Sequence, residues 1–357
     1  MIEPTSGVRY LLCRPQGGLN DTLVQLELCR RHAARFGRTL IVDLTQSGLR
    51  AHFDDVFIPR PNFGAPVIAH GPEIARELDQ CASVRPALLA GRISTFVSDW
   101  DPGADSYVER ESRQPIGFDP ECDHPETLLV HDQCGGGRRG FRILDRLMLA
   151  PELANTVAAR LIPLGADYDA IHVRHTDMST DYERLFQRCR GLFAGRPLLV
   201  CSDSTTVKAC AREVFEGSAI LSAADIPDVA GRPLHITELT DPRKTTIDLF
   251  CDLIAIARSR TFVFTAVMGK AGARPRFSGY SVLAELLHQN PSTIRGLFGA
   301  ADPDLSAALF KSRSRRFAVP SLGRFLARLD QWRWNLPARH HAARLRFKTR
   351  IDVLRSR

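Results

Sequence analysis

The sequence predicts an α/β protein whose parallel sheets are covered by helices and divided between two domains. Three observations lead there. Short apolar, β-favouring runs alternate with stretches of helical spacing, the rhythm of strands joined by helical crossovers. That rhythm is set up near the N-terminus and becomes clear again after about residue 165. The chain's 357 residues exceed what one core usually organises, and its 44% hydrophobic and 25% charged content is that of a globular protein.

In chain order, residues 8–13 (VRYLLC) read as a strand ending at a polar glycine pair, PQGGLND. Asn20 or Asp21 is positioned to cap the helix that follows, whose apolar Leu23, Leu26 and Ala33 share a face, and Gly37 stands where a C′ glycine would stop it. Residues 39–44 (TLIVDL) form the next strand and complete a βαβ unit. Residues 60–125, dense in Pro, Gly and polar interruptions, read as irregular connections with short helices. A strand is expected at 127–131, a loop at 134–140 (CGGGRRG), and helices at 141–149 and 151–161. In the second half, strands are expected at 170–173, 198–201, 219–221 and 261–265, and helices at 204–215, 245–258 and 281–288. The last helix follows a loop containing Gly269, Gly272 and Gly279. The domains are set at 1–165 and 166–310, with a basic tail from 311 to 357.

The net charge of +8 belongs to that tail, where fourteen Lys/Arg stand against two Asp/Glu, leaving 34 basic and 38 acidic residues upstream. Leu322, Phe325, Leu326, Leu329 and Trp332 follow helical spacing, and beyond Pro337 the chain is Arg-rich. A solvated extension and a helix lying peripherally on an anionic membrane are both open for it. Nothing resembles a DNA- or RNA-binding module, so no specific nucleic-acid partner is expected. No window is apolar enough to span a bilayer and no signal peptide opens the chain, which places the protein in the cytoplasm, with the inner membrane face as the tail's option. Nine scattered cysteines without a CxxC pair point to reduced, mostly buried thiols.

Five segments carry candidate chemistry. Gly17 and Gly18 sit between a strand and a helix, where backbone can approach a ligand and unpaired N–H groups favour an anion; a plain tight turn is the alternative. His172 and Arg174 in IHVRHTD fall on one side of a strand at its carboxyl end, where ligands of open α/β sheets gather. A guanidinium there suits a diphosphate, or else an internal Asp or Glu. Asp203 or Ser204 in CSDS is either a helix cap or a contributor to a nucleotide pocket. Asp248, among apolar neighbours, is either paired with an Arg or an acceptor for a base or ribose, and Asp252, a turn later, is equally open as the solvent-facing member. Ser278 and Ser281 in FSGYS offer an anion cradle or N-caps. Asp99-Trp100-Asp101 has the DxD spacing of a metal-bound diphosphate site but lies in a polar loop, and no HExxH is present, so no metal is expected.

In order, RYLL with its glycine loop, FGRTLIVDL, IHVRH, LLVCSDS, PLHITEL, TTIDLFCDLIAIARSRTFV and RFSGYS resemble the bacterial nodulation fucosyltransferase (NodZ) family, which is related to the α1,6-fucosyltransferases. The resemblance spans about residues 8 to 290, discontinuously. It implies a GT-B glycosyltransferase, two Rossmann-like domains facing a cleft, that transfers L-fucose from GDP-fucose, with inversion and without metal or other cofactor, to a hydroxyl of a glycan or glycosylated acceptor. Another nucleotide-sugar, or a sugar-nucleotide-binding protein without turnover, is the alternative. On matching positions it implies that Arg174 stabilises the leaving diphosphate. His172, Asp248, Ser278, Tyr280 and Ser281 would bind GDP, Gly17 and Gly18 would line the cleft, Asp203 would support the nucleotide pocket, and His175 matches a position that is Arg or His in the family. The segments TDMSTDYE and DPRKTT depart from the family's pattern, so acceptor and general base stay open, with Asp177 and Glu183 as guesses for the base.

Overall fold

Side chains of a strand alternate between two faces, and in RYLLCRP both faces are apolar, which suits an interior strand of a parallel sheet. The computed structural model describes residues 7–135, 137, 140–165, 167–225, 241–267 and 276–311, and in it this run is strand β1 (Arg9–Pro15). With β2 (Arg38–Val42), β3 (Val67–Ala69), β4 (Val84–Arg85) and β5 (Leu128–Gln133) it forms a five-stranded parallel sheet ordered β3-β2-β1-β5-β4. A second parallel sheet contains β6 (Asp169–Val173), β7 (Leu198–Ser202), β8 (Ile220–Leu221) and β9 (Phe262–Phe264), ordered β8-β7-β6-β9.

Six helices frame the sheets: α1 (Leu19–Phe36), α2 (Pro151–Leu161), α3 (Tyr182–Phe193), α4 (Thr205–Val214), α5 (Pro242–Arg258) and α6 (Gly279–Gln289). Gly37 closes α1 in the left-handed conformation at φ 64°, as its position predicts. The N-cap of α1 is Gly18, with no side-chain cap bond, so Asn20 and Asp21 lie inside the first turn and do not cap it. Asp241 caps α5 by accepting from the Lys244 backbone N–H at 2.9 Å, with Pro242 at the first helical position.

Alternation divides the apolar residues into three cores. Leu11, Cys13, Leu40 and Leu129 of the first sheet share one core with Ala170, Leu199, Cys201 and Phe264 of the second. Helix α5 joins them, since residues 250–257 are buried except for Asp252. The opposite face of the first sheet, with Tyr10, Leu12 and Val130, and that of the second, with Ile171, Val173 and Val200, each have a separate core.

Two expectations need correction. The stretch 141–149 is a short helix, Gly140–Leu144, followed by a strand, Leu147–Leu149, paired antiparallel with Phe57–Pro59. Its helical spacing is overridden because Leu147 and Leu149 are both buried in that pairing. The region 60–125 also holds more order than its composition indicates: it supplies β3 and β4, the helix Pro72–Leu78, and a ribbon of Ser98–Asp101 with Ser106–Glu109. Strands of two or three residues are too short to show a period of two. All nine cysteines are unpaired, six of them buried. PLHITEL, Gly269 and Gly272, and the tail from 312 onward lie outside the described residues.

Candidate functional site

In parallel sheets, loops leaving the carboxyl ends of strands meet where the chain turns from one side of the sheet to the other. Here β1 has β2 on one side and β5 on the other, and β6 lies between β7 and β9. The loops after β1, β6 and β7, together with the first turn of α6 and one side of α5, enclose a cavity of about 480 Å³. Of the sequence candidates, Gly18, His172, Arg174, Asp203, Asp248, Ser278 and Tyr280 line it. These residues come from segments spread between Gly18 and Tyr280.

Gly17, Ser281 and His175, to which the resemblance gives a place in the site, stand outside the lining. Gly17, at φ 86°, donates no side chain to the cavity but accepts from the Gly48 N–H at 2.7 Å. Ser281 sits behind the wall, its Oγ 2.7 Å from His172 Nδ1. His175 points elsewhere: its Nδ1 lies 3.2 Å from Thr180 Oγ1 and its ring meets Tyr182 edge-on at 4.7 Å, so only its backbone N–H serves the site, donating to Asp203 at 2.8 Å. Ser204 and Ser278 occupy N-cap positions of α4 and α6 without a side-chain cap bond.

The side chains in the cavity are preset by one another. Arg174 donates from Nε and Nη2 to both oxygens of Asp177, at 2.7 and 2.8 Å, and its Nε is 3.7 Å from Asp203. Burial works against the guanidinium's charge, but the Asp177 bonds together with the charges of Asp177, Asp203 and Asp21 outweigh it and hold its pKa above the ordinary value. Asp203 also accepts from Thr176 Oγ1 at 2.6 Å. Asp248 has Arg160 of α2 at 2.7 Å and Lys244 at 2.8 Å, and Lys244 reaches Asp225 at 3.2 Å. Burial pushes His172 down to about 4, so it is a neutral ring at physiological pH, packed 5.1 Å from Tyr280. The Tyr280 hydroxyl donates to the Leu249 carbonyl at 2.9 Å, and burial lifts its pKa well above the ordinary phenol.

Sequence reasoning missed several lining residues. Asn20 and Asp21 have a cavity role in place of the capping one, and Arg276, Met178 and Asp225 were not singled out. Asp252, which the sequence leaves open as a solvent-facing residue, lines the cavity, and burial pushes its carboxyl up to about 6. Its spacing of four from Asp248 was the available signal, because residues one helical turn apart share a face. Of the two guesses for a base, Asp177 lines the cavity while Glu183 is exposed and outside it. The DxD pair is engaged elsewhere, Asp99 by Arg110 at 2.9 Å and Asp101 by Arg113 at 2.7 Å. Among the described residues, no three His, Cys, Asp or Glu come together to hold a metal, and no helix is long and apolar enough to cross a membrane.

No protein-family model matches the chain, and no curated protein does. Among solved structures, the fucosyltransferase NodZ from Bradyrhizobium is similar over 79% of this chain and 94% of its own, at 20% identity and a TM-score of 0.49. A NodZ α-1,6-fucosyltransferase co-crystallised with GDP is similar at 18% identity and a TM-score of 0.48, over 79% of this chain and 93% of its own. One soaked with GDP-fucose has 18% identity and a TM-score of 0.47, over 78% and 92%. All are remote likenesses.

Proposed function

We propose that the cavity takes a nucleoside diphosphate sugar, specifically GDP-fucose, and that the protein is an inverting, metal-independent glycosyltransferase of GT-B arrangement. The observation that carries this reading is the convergence of Arg174, His172, Asp203, Asp248, Ser278 and Tyr280 in one cavity at the carboxyl edges of two parallel sheets. Those are motif positions through which the sequence resembles the fucosyltransferases, and the cavity brings them together from distant segments.

The chemistry follows from what each group offers. Transfer of a glycosyl group leaves negative charge on the departing diphosphate, and a partly buried guanidinium fork is suited to hold it in bidentate fashion. Arg174 exchanges the Asp177 carboxylate for the phosphate oxygens, so the guanidinium stays paired with an anion before and after binding. Asp248, fixed by Arg160 and Lys244, presents an acceptor for ribose hydroxyls or base N–H groups. Neutral His172, held by Ser281, is a hydrogen-bonding wall that adds no charge. Metal independence is supported by Arg174 supplying the positive charge and by the engagement of Asp99 and Asp101 with arginines. The acceptor is a hydroxyl of a glycan or glycosylated molecule. The domain division at 1–165 and 166–310 and the tail's peripheral contact with an anionic membrane belong to the same proposal.

Calorimetry with EDTA present, using GDP, GDP-fucose, GDP-mannose, UDP-glucose and UDP, tests it. GDP-fucose binding that survives chelation and is weakened at least a hundredfold in Arg174→Ala is expected, an arginine–phosphate pair being worth about 3 kcal/mol. A preference for UDP, or no guanine-nucleotide binding, overturns the donor assignment.

A further inference from the structure

Displacement with inversion at a sugar's anomeric carbon brings the acceptor hydroxyl in opposite the leaving group, and the hydroxyl must lose its proton there. We propose that Asp21 is the catalytic base, accepting that proton from the first sheet's wall of the cavity. The inference rests on the glycosyltransferase reading above and adds the group that reading leaves unassigned.

Six aspartates line the cavity, and four are already committed. Arg174 grips both oxygens of Asp177, Arg160 and Lys244 hold Asp248, Lys244 holds Asp225, and Asp203 accepts from the His175 N–H and the Thr176 hydroxyl. Asp252 belongs to α5, beside the Cys201 thiol and in the field of Lys208, on the second sheet's side with the other nucleotide candidates. Asp21 alone comes from the helix that follows β1. Among the described residues no cation reaches it within ion-pair distance, and the backbone of Gly18 and of its own residue favours its charged form.

The glycine pair shapes this position. A Cβ at Gly17 would lie 3.2 Å from Asp21 Oδ2 and 3.2 Å from its Cβ, and the φ of 86° there already favours glycine. The tight turn therefore leaves the carboxylate room. Asp21 from the first sheet's side and Arg174 from the second line the same cavity, near enough for each to act on the other's charge. A donor whose diphosphate sits on Arg174 extends its sugar between them. Burial raises the carboxyl above the usual carboxylate range and Gly18 and Arg174 oppose the rise, leaving a base stronger than a solvated carboxylate.

The step balances. The hydroxyl proton passes to an Asp21 carboxylate oxygen while the hydroxyl oxygen's electron pair forms the bond to the anomeric carbon. The bond from that carbon to the diphosphate oxygen breaks, and its electron pair leaves with the diphosphate against Arg174.

The test uses the full chain with GDP-fucose, measuring GDP release to water and to a mixed panel of free oligosaccharides. Asp21→Asn should bind GDP-fucose within about threefold of wild type while its turnover falls at least a hundredfold. Its residual rate should lose the acid limb of the wild-type pH profile, and Asp21→Ala should regain activity with added formate. The Asp21 charge helps raise Arg174, Tyr107 at about 12 and Cys134 at about 11, so the substitution lowers all three on the alkaline side of the profile; Asp252 at about 6 and His172 at about 4 share the cavity with Asp177, Asp203, Asp225 and Asp248 and stay in place. Asp21→Asn turning over within tenfold of wild type with the limb intact, or losing donor binding in step with rate, overturns the assignment. If wild type binds no GDP-fucose, the donor reading fails first, and that outcome is separable from an active wild type with an active Asp21→Asn.

Discussion

At the scale of residues, two neighbours on β5 couple stability to pH in opposite directions. His131 is buried with its Nε2 2.7 Å from the Gln25 side-chain oxygen, and burial pushes it down to about 4. The unfolded chain, where a histidine titrates near 6.5, takes up a proton that the folded state refuses, so this contribution is present above pH 6.5 and is lost as pH falls toward 4. The loss is on the order of 3 kcal/mol. Asp132, with oxygens accepting from Gln16 at 2.8 Å and Ser98 at 3.0 Å, is pushed by burial up to about 6 from 3.8. Its sign is reversed: the folded state binds more protons between those values, and stability declines as pH rises through the window. Because the two slopes oppose each other between about pH 4 and 6, His131→Gln should leave the Asp132 slope uncompensated, so that its urea midpoint falls with rising pH more steeply than that of wild type, while Asp132→Asn should raise the midpoint at pH 7. An unchanged pH dependence in His131→Gln would show that its ring is charged or hydrated in the folded state.

At the scale of elements, the cavity depends on how closely α6 approaches α1. A Cβ at Gly279 would stand 2.7 Å from Asn20 Nδ2 and 3.1 Å from its Cγ, so the first turn of one helix rests against the first turn of the other. Gly279→Ala should push the two apart, costing about 1 to 3 kcal/mol in stability and weakening nucleotide binding. Among the described residues the buried Asn20 amide nitrogen has no partner, so Asn20→Ala gives up little hydrogen bonding and removes the nearest clashing atoms. The double variant should recover most of the loss in a double-mutant cycle, whereas simple additivity would place the two sites out of contact. Local pattern reads such elements well where they are long: α1, with Leu23, Leu26 and Ala33 buried on one side, matches its periodicity. It reads them poorly where they are short, as at Leu147–Leu149, whose conformation is set by its partner strand.

At the scale of the whole molecule, one core runs beneath both sheets, and Phe250 of α5 meets Phe57 edge-on at 5.9 Å inside it. Two sheets sharing a core should unfold together. Phe250→Ala is expected to cost about 3 to 5 kcal/mol and to lower a single calorimetric transition, whereas a split into two transitions would mean that each sheet is held by its own core alone. By itself the sequence determined the α/β rhythm, the long elements, and the strand ends at His172–Arg174 and Asp203, because periodicity and strand-to-helix junctions are local properties of the chain. Only the tertiary structure decided which of those ends share a cavity. It turned His175 away toward Tyr182, set Ser281 behind His172, brought Asp252 inward and placed Asp21 in the cavity that Arg174 also lines. Side-chain direction and charge partners of that kind depend on packing between segments far apart in sequence, which no local pattern encodes.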